Sequence, residues 1–263
     1  IRYYQDLIEN SDLEEHKKLF YSEIQDLEKM KADEAFHPKN SPQGIDELII
    51  NLIEWRSVIY AFQEVEIKDS KFKESAFFLQ WHLGAIYGIF SIFGKLLSKD
   101  NRDNSIRNLW NQVSQTMEID GACSKEEYEH INLAFNEKSG LFTNEKSPTL
   151  LFRNKTISHN ERVPIVQWSE VDKDISLIIR IWSLMISWSS FGLPHAFLTS
   201  EQAFAGIEPL FQKEDMLKLK QKRNEYIDNV KTWATTYAHT GEIDKGKSAF
   251  SGLSIKFSIH PEN

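Results

Sequence analysis

Apolar positions recur at helical spacing along most of the chain. In the stretch "SDLEEHKKLFYSEIQDLEKMKADEAFH", Leu13, Phe20 and Ile24 share one face and leave a charged face opposite. Ser11 and Glu14 have the spacing of a capping box at its start, and "PKNSPQG" interrupts the pattern. Residues 1–44 are therefore predicted to form an N-terminal amphipathic helix.

Residues 45–194 are predicted to be a helical core. A helix is expected from about Ile45 to Lys68, and a second from Phe72 to Leu97 that is apolar on most sides and so takes a central place. Shorter helices are expected from Ser105 or Asn104 to Met117 and from the capping box at Ser124 to about Lys138, and a long helix from about Ser169 to Phe191.

Residues 195–263 are predicted to add one or two helices, packed on the core, and a tail. In "SGLSIKFSIH" apolar and polar residues alternate, which is the period of a β-strand. A single strand is not stable, so it would pair with "VPIVQW" or with a second subunit. The predicted fold class is all-α, a multi-helix bundle with a short β-like C-terminal tail.

Charge and cysteine content limit the classes of function. The net charge of −8 over 263 residues disfavours a wide nucleic-acid groove that works by phosphate neutralisation, but it leaves room for a compact local site. The single cysteine, Cys123, excludes an internal disulfide and a thiolate zinc cluster within one chain. No apolar run is expected to span a membrane, and the sequence predicts a cytoplasmic protein.

Two Glu-x-x-His runs raise the possibility of a metal site. They are Glu34 to His37 and Glu127 to His130, and a di-iron bundle uses two such pairs with two further glutamates. However, His37 precedes Pro38 at a helix end, and Glu127 occupies the capping box at a helix start. Both runs are interpreted as surface helix termini, and neither a metal nor another cofactor is predicted.

The stretch "TLLFRNKTISHNERVP" holds the most promising chemistry. Ser147 and Pro148 suit the start of a helix that carries Arg153, Asn154 and His159 and ends before Pro164. Six residues turn an α-helix by about 600°, so Arg153 and His159 would lie about 120° apart around its axis.

These three residue types can cleave RNA without metal. Histidine can take or give a proton, arginine can hold and stabilise the phosphate, and asparagine can orient either group. The alternative is that basic residues near a helix C-terminus complement its dipole.

The run "RNKTISHN" resembles the signature of the HEPN superfamily, an arginine followed by a polar residue and, after four to six positions, a histidine. Here Asn154 follows Arg153, and five residues separate Arg153 from His159. The text also resembles the abortive-phage-infection AbiU-like branch, both in "RNKTISH" and in the upstream segment "YGIFSIFGKLLSKDNRDNSIRNLW". The resemblance covers about residues 45–191.

This resemblance implies a homodimer of helical bundles with a composite active site at its interface. It implies a metal-independent endoribonuclease, a growth-arresting toxin in phage defence. His159 would be the general acid or base, Arg153 would hold the scissile phosphate, Asn154 would assist, and Lys155 would add charge for substrate binding. RNA, a second copy and an antitoxin or regulatory protein are the expected partners.

Two other interpretations remain open from the sequence. The same scaffold also serves as a non-catalytic helical interaction or nucleotide-binding module. An unrelated helical bundle could carry the motif by chance.

Overall fold

The computed structural model describes residues 2–11, 13–32, 44–67, 72–121, 123–162, 165–190 and 201–235. These described residues contain nine α-helices and no β-strand, which confirms the predicted all-α class. The chain divides into two compact units, residues 1–43 and 44–263. The predicted strand near residues 251–260 lies outside the described residues, and the described part of its expected partner, residues 165–168, contains no strand and ends in the first residue of a helix.

The N-terminal unit contains two helices where the pattern predicts one. Helix α1 spans Arg2–Glu9 and α2 spans Glu14–Ala32, with the rings of Tyr4 and Phe20 at 6.1 Å between centroids. The predicted cap at Ser11 is wrong by two residues. Ser11 Oγ accepts a bond from the backbone N–H of Leu13 at 3.4 Å, and the first helical bond runs from Lys17 to Leu13.

Four long helices form the core of the second unit. They are α3 (Ile45–Glu64), α4 (Ala76–Leu96), α8 (Trp168–Ser190) and α9 (Lys213–Thr235). Each contributes a fully buried isoleucine or phenylalanine to one continuous cluster, for example Ile49, Phe93, Ile178 and Ile227. Burying a side chain of this size stabilises the fold by about 1.5–3 kcal/mol, so this cluster holds the four helices together.

A buried ion pair and its neighbours fix the packing register of α3, α8 and α9. The Arg56 guanidinium, 2% exposed, donates two bonds to the Asp172 carboxylate, at 2.8 Å from Nε and 2.6 Å from Nη2. The Tyr226 hydroxyl donates a third bond to Asp172 at 2.8 Å, and the Trp168 ring lies 4.5 Å from the guanidinium. Because all four groups come from three different helices, a change in helix register would leave a charge buried without a partner.

Two shorter helices start where their caps predict. Helix α5 (Ile106–Ile119) is capped by Ser105, and α6 (Lys125–Ala134) begins with the predicted capping box of Ser124 and Glu127. Helix α6 ends four residues before the predicted Lys138. The reason is local, because the Asn136 side chain accepts bonds from the backbone N–H groups of Lys138 and Ser139 and so competes with further helix.

Helix α4 does not take the central place that its composition predicts. One face, with Ile89 and Phe93, is buried in the core, whereas Leu79, Leu83 and Tyr87 are 61%, 50% and 46% exposed. By length and composition α4 could also cross a membrane, contrary to the expectation that no apolar run reaches that length. The fold therefore leaves an apolar helix face uncovered among the described residues.

Candidate functional site

The segment with the predicted site begins as an anchored helix. Helix α7 spans Pro148–Phe152, and Ser147 caps it by accepting a bond from the backbone N–H of Leu150 at 3.0 Å, as predicted. The same hydroxyl donates to Asp174 of α8 at 2.6 Å. The start of the segment is thus held both by its own backbone and by a neighbouring helix.

Helix α7 does not continue to His159. It passes into a π-helical turn, Arg153–Ile157, in which the backbone N–H of Ser158 donates to the carbonyl of Arg153 at 3.0 Å. Asn160 then takes a left-handed conformation with φ of 54° and ends the segment. His159 therefore lies in the turn after the helix, a correction to the predicted helical position. Single π turns are frequent at functional sites.

Arg153 and Asn154 are held together at one end of α4. The Arg153 guanidinium lies over Gly94 of α4 and donates from Nη1 to Asn154 Oδ1 at 2.8 Å. Asn154 Nδ2 donates in turn to Asn144 Oδ1 at 2.6 Å. Since a guanidinium can only donate, it fixes the orientation of the Asn154 amide, and the chain of two bonds fixes both side chains.

A cavity of about 700 Å³ opens beside this pair. Arg153 and Asn154 form part of its wall, and three lysines line it as well: Lys95, Lys99 and Lys138. Three carboxylates, those of Asp103, Glu137 and Glu145, also line the cavity. No carboxylate of the described residues lies within ion-pair distance of Arg153 or of the three lysines. Cations that share a cavity without a bound carboxylate are able to bind an anion.

Two of the predicted site residues lie elsewhere. His159 is exposed, does not line the cavity and has no hydrogen bond to another described residue. The Lys155 ammonium pairs with Glu161 at 3.0 Å and is also outside the cavity lining. Within one chain the structure thus joins Arg153 to Asn154, but joins neither of them to His159 or Lys155.

The fold adds residues that the sequence reading missed. Asn144 and Lys138 come from the loop between α6 and α7, and Lys95, Lys99 and Gly94 come from the end of α4 and the turn after it. The sequence signal for some of them is the run of Lys, Asp, Asn and Arg after α4, which is part of the upstream segment that resembles the AbiU-like branch.

Among the described residues, no group of side chains forms a candidate metal site. Glu34 and His37 lie outside the described residues, and no group of three or more described His, Cys, Asp or Glu side chains is placed to hold an ion. Glu127 is fully buried, not at the surface as predicted, and burial raises its pKa. Burial also raises the pKa of Cys123 to about 11, which leaves its thiol unreactive at neutral pH.

Comparisons with protein-family models, with curated proteins and with solved structures found no match to this chain. The resemblance to the HEPN superfamily therefore depends on the motif residues themselves.

Proposed function

We propose that this chain is a metal-independent endoribonuclease of HEPN type that acts as a growth-arresting toxin in phage defence. One observation carries the proposal: Arg153 and Asn154 of the motif are fixed at the wall of a cavity that three lysines also line, and no described carboxylate pairs with these cations. The lining holds these four cations against three carboxylates, so it is slightly positive in a chain of net charge −8, and its cations remain available to an RNA phosphate.

The proposed chemistry uses side chains alone. A histidine takes the proton of a ribose 2′-hydroxyl, the 2′-oxygen attacks the adjacent phosphorus, and the bond to the 5′-oxygen breaks as this oxygen takes a proton from water. The products are a 2′,3′-cyclic phosphate and a 5′-hydroxyl. Arg153 stabilises the charge that develops on the phosphate, and Asn154 holds the guanidinium in place.

The histidine of this reaction comes from a second copy of the chain in our proposal. His159 lies outside the cavity of its own chain, on an exposed turn that a partner could reach. Helix α4 offers a surface for such a partner, since exposed apolar patches mark interfaces. Its exposed line of Leu79, Leu83 and Tyr87 continues at helical spacing to Gly94, where Arg153 lies.

A second function is favoured by the same position of His159. If no partner supplies a histidine, the cavity would bind a nucleotide or RNA phosphate without cleaving it, as a non-catalytic module. Both functions require Arg153, but only the nuclease requires His159.

Cleavage of a single-stranded RNA in the presence of EDTA tests the proposal. We expect wild type to cleave, and His159→Ala and Arg153→Ala each to lose activity on the order of 100-fold or more. His16→Ala removes another exposed histidine and is expected to cleave like wild type. Binding without cleavage by folded wild type would favour the non-catalytic module, and equal activity of wild type and His159→Ala would contradict the nuclease.

A further inference from the structure

Gly94 is the point at which Arg153 meets α4. A Cβ atom built on Gly94 would fall far inside van der Waals contact with the Arg153 side chain, and its three nearest atoms are Nη2, Cζ and Nε of that guanidinium. Gly94 lies inside α4, two residues before its end. A glycine is therefore needed at position 94 because a side chain would occupy the space of the Arg153 guanidinium, and not because the backbone is unusual there.

The other two glycines of α4 are different. A Cβ on Gly84 would meet nothing within 4 Å, and one on Gly88 would meet only Trp55 Nε1 at 3.9 Å, an ordinary contact. Glycine is a poor helix former, so each of the three weakens α4. Only at Gly94 does the missing side chain leave room for another functional group.

We propose that Gly94 is a positioning residue for Arg153. This inference deepens the proposed function and rests on it in taking the bound anion to be an RNA phosphate. With no side chain at 94, the guanidinium lies against the last turn of α4, where the helix dipole favours a positive charge. Asn154 takes one bond from Nη1, and the remaining N–H groups are left for the phosphate. Any larger residue at 94 displaces the guanidinium from this position, although the charge itself stays on the protein.

The first test compares Gly94→Ala with Gly84→Ala and Gly88→Ala. The measurements are the affinity for a fluorescein-labelled single-stranded RNA in EDTA, by anisotropy, and the rate at which the RNA is cleaved. We expect Gly94→Ala to weaken binding by about tenfold and to slow cleavage further, because a bidentate contact is lost. The two control variants should bind and cleave like wild type.

The second test repeats Gly94→Ala in an Arg153→Ala background. If Gly94 acts through Arg153, the second substitution changes neither binding nor cleavage any further, because the group that it displaces is already absent. An effect of Gly94→Ala of equal size in both backgrounds, or no effect in either, would overturn the proposal. If Gly94 served only the structure of α4, Gly94→Ala would have an effect of equal size with and without Arg153.

A stability measurement separates this inference from the proposed nuclease. Replacing a helical glycine by alanine raises the ratio of folded to unfolded protein about two- to fivefold where space allows. We expect that gain at Gly84, and at Gly94 only when Arg153 is also alanine. If wild type neither binds nor cleaves RNA, the proposed function fails, whereas this cycle still supports or contradicts the contact between Gly94 and Arg153.

Discussion

Arg153 differs in what it binds from Arg56 and Arg223, two of the three buried arginines among the described residues. Arg56 and Arg223 are 2% and 1% exposed. Each donates hydrogen bonds to both oxygens of one carboxylate, Arg56 to Asp172 and Arg223 to Glu54. Arg153 is only partly buried and donates to a neutral amide, Asn154. A neutral acceptor orients a guanidinium without cancelling its charge, so Arg153 can still attract an anion.

The buried pair of Arg56 and Asp172 leads to a prediction on stability. We expect Asp172→Asn to lower the free energy of unfolding by about 3 kcal/mol, because it leaves the Arg56 charge buried without a compensating carboxylate. Urea unfolding followed by circular dichroism measures the change. Asp100→Asn is the matched control, since its pair with Arg102 is exposed and should barely move the urea midpoint. Equal effects of the two variants would refute the assigned role of Asp172.

At the scale of elements, the starts of three helices could be predicted from their capping residues, whereas the end of α7 could not. The caps at Ser105, Ser124 and Ser147 depend on a hydroxyl and a backbone N–H three residues away, so the local sequence determines them. The change from α7 to a π turn depends on tertiary packing. Phe152 packs on Phe90 at 4.9 Å between ring centroids, and Arg153 lies over Gly94, and neither partner is near in sequence.

The exposure of α4 could not be predicted for a similar reason. Its composition shows that it is apolar on most sides, but not how many neighbouring helices cover it. The fold covers the face with Ile89 and Phe93 and leaves Leu79, Leu83 and Tyr87 exposed. An apolar helix thus predicts that a contact forms, without telling whether the same chain or another copy supplies it.

The turn that carries His159 gives a second prediction. Asn160 has φ of 54°, where a β-branched residue is strained and glycine is not. We expect Asn160→Val to lower the free energy of unfolding by about 1–2 kcal/mol and to reduce RNA cleavage more than Asn160→Gly does. Urea unfolding and the EDTA cleavage assay measure both effects. If valine and glycine behave alike at this position, the left-handed turn does not determine where His159 lies.

For the molecule as a whole, anion binding depends less on the net charge of the chain than on where the charged side chains lie. A net charge of −8 argues against binding a long stretch of nucleic acid by phosphate neutralisation. The cavity is different, because Lys95, Lys99, Lys138 and Arg153 come from segments up to 58 positions apart that only the fold brings together. The motif identified Arg153 and Asn154, but not the lysines or Asn144 around them.

The last prediction concerns the second copy that the proposed nuclease needs. If each active site takes Arg153 from one chain and His159 from the other, Arg153→Ala and His159→Ala homodimers are both inactive. A heterodimer of the two variants would keep one complete site, with the arginine of one chain and the histidine of the other. If both residues came from the same chain, no site in the heterodimer would be complete.

We therefore expect activity to return when the two inactive variants are mixed, denatured and refolded together. With random pairing, half of the dimers are heterodimers with one of two sites intact, so the mixture should reach about a quarter of wild-type cleavage in EDTA. Refolding each variant alone is the control and should stay inactive. A mixture that stays inactive, while sizing and mass measurements show that heterodimers have formed, would refute the composite site. Since the cavity of one chain lacks His159, that result would leave the non-catalytic module as the better account of Arg153 and its lysines.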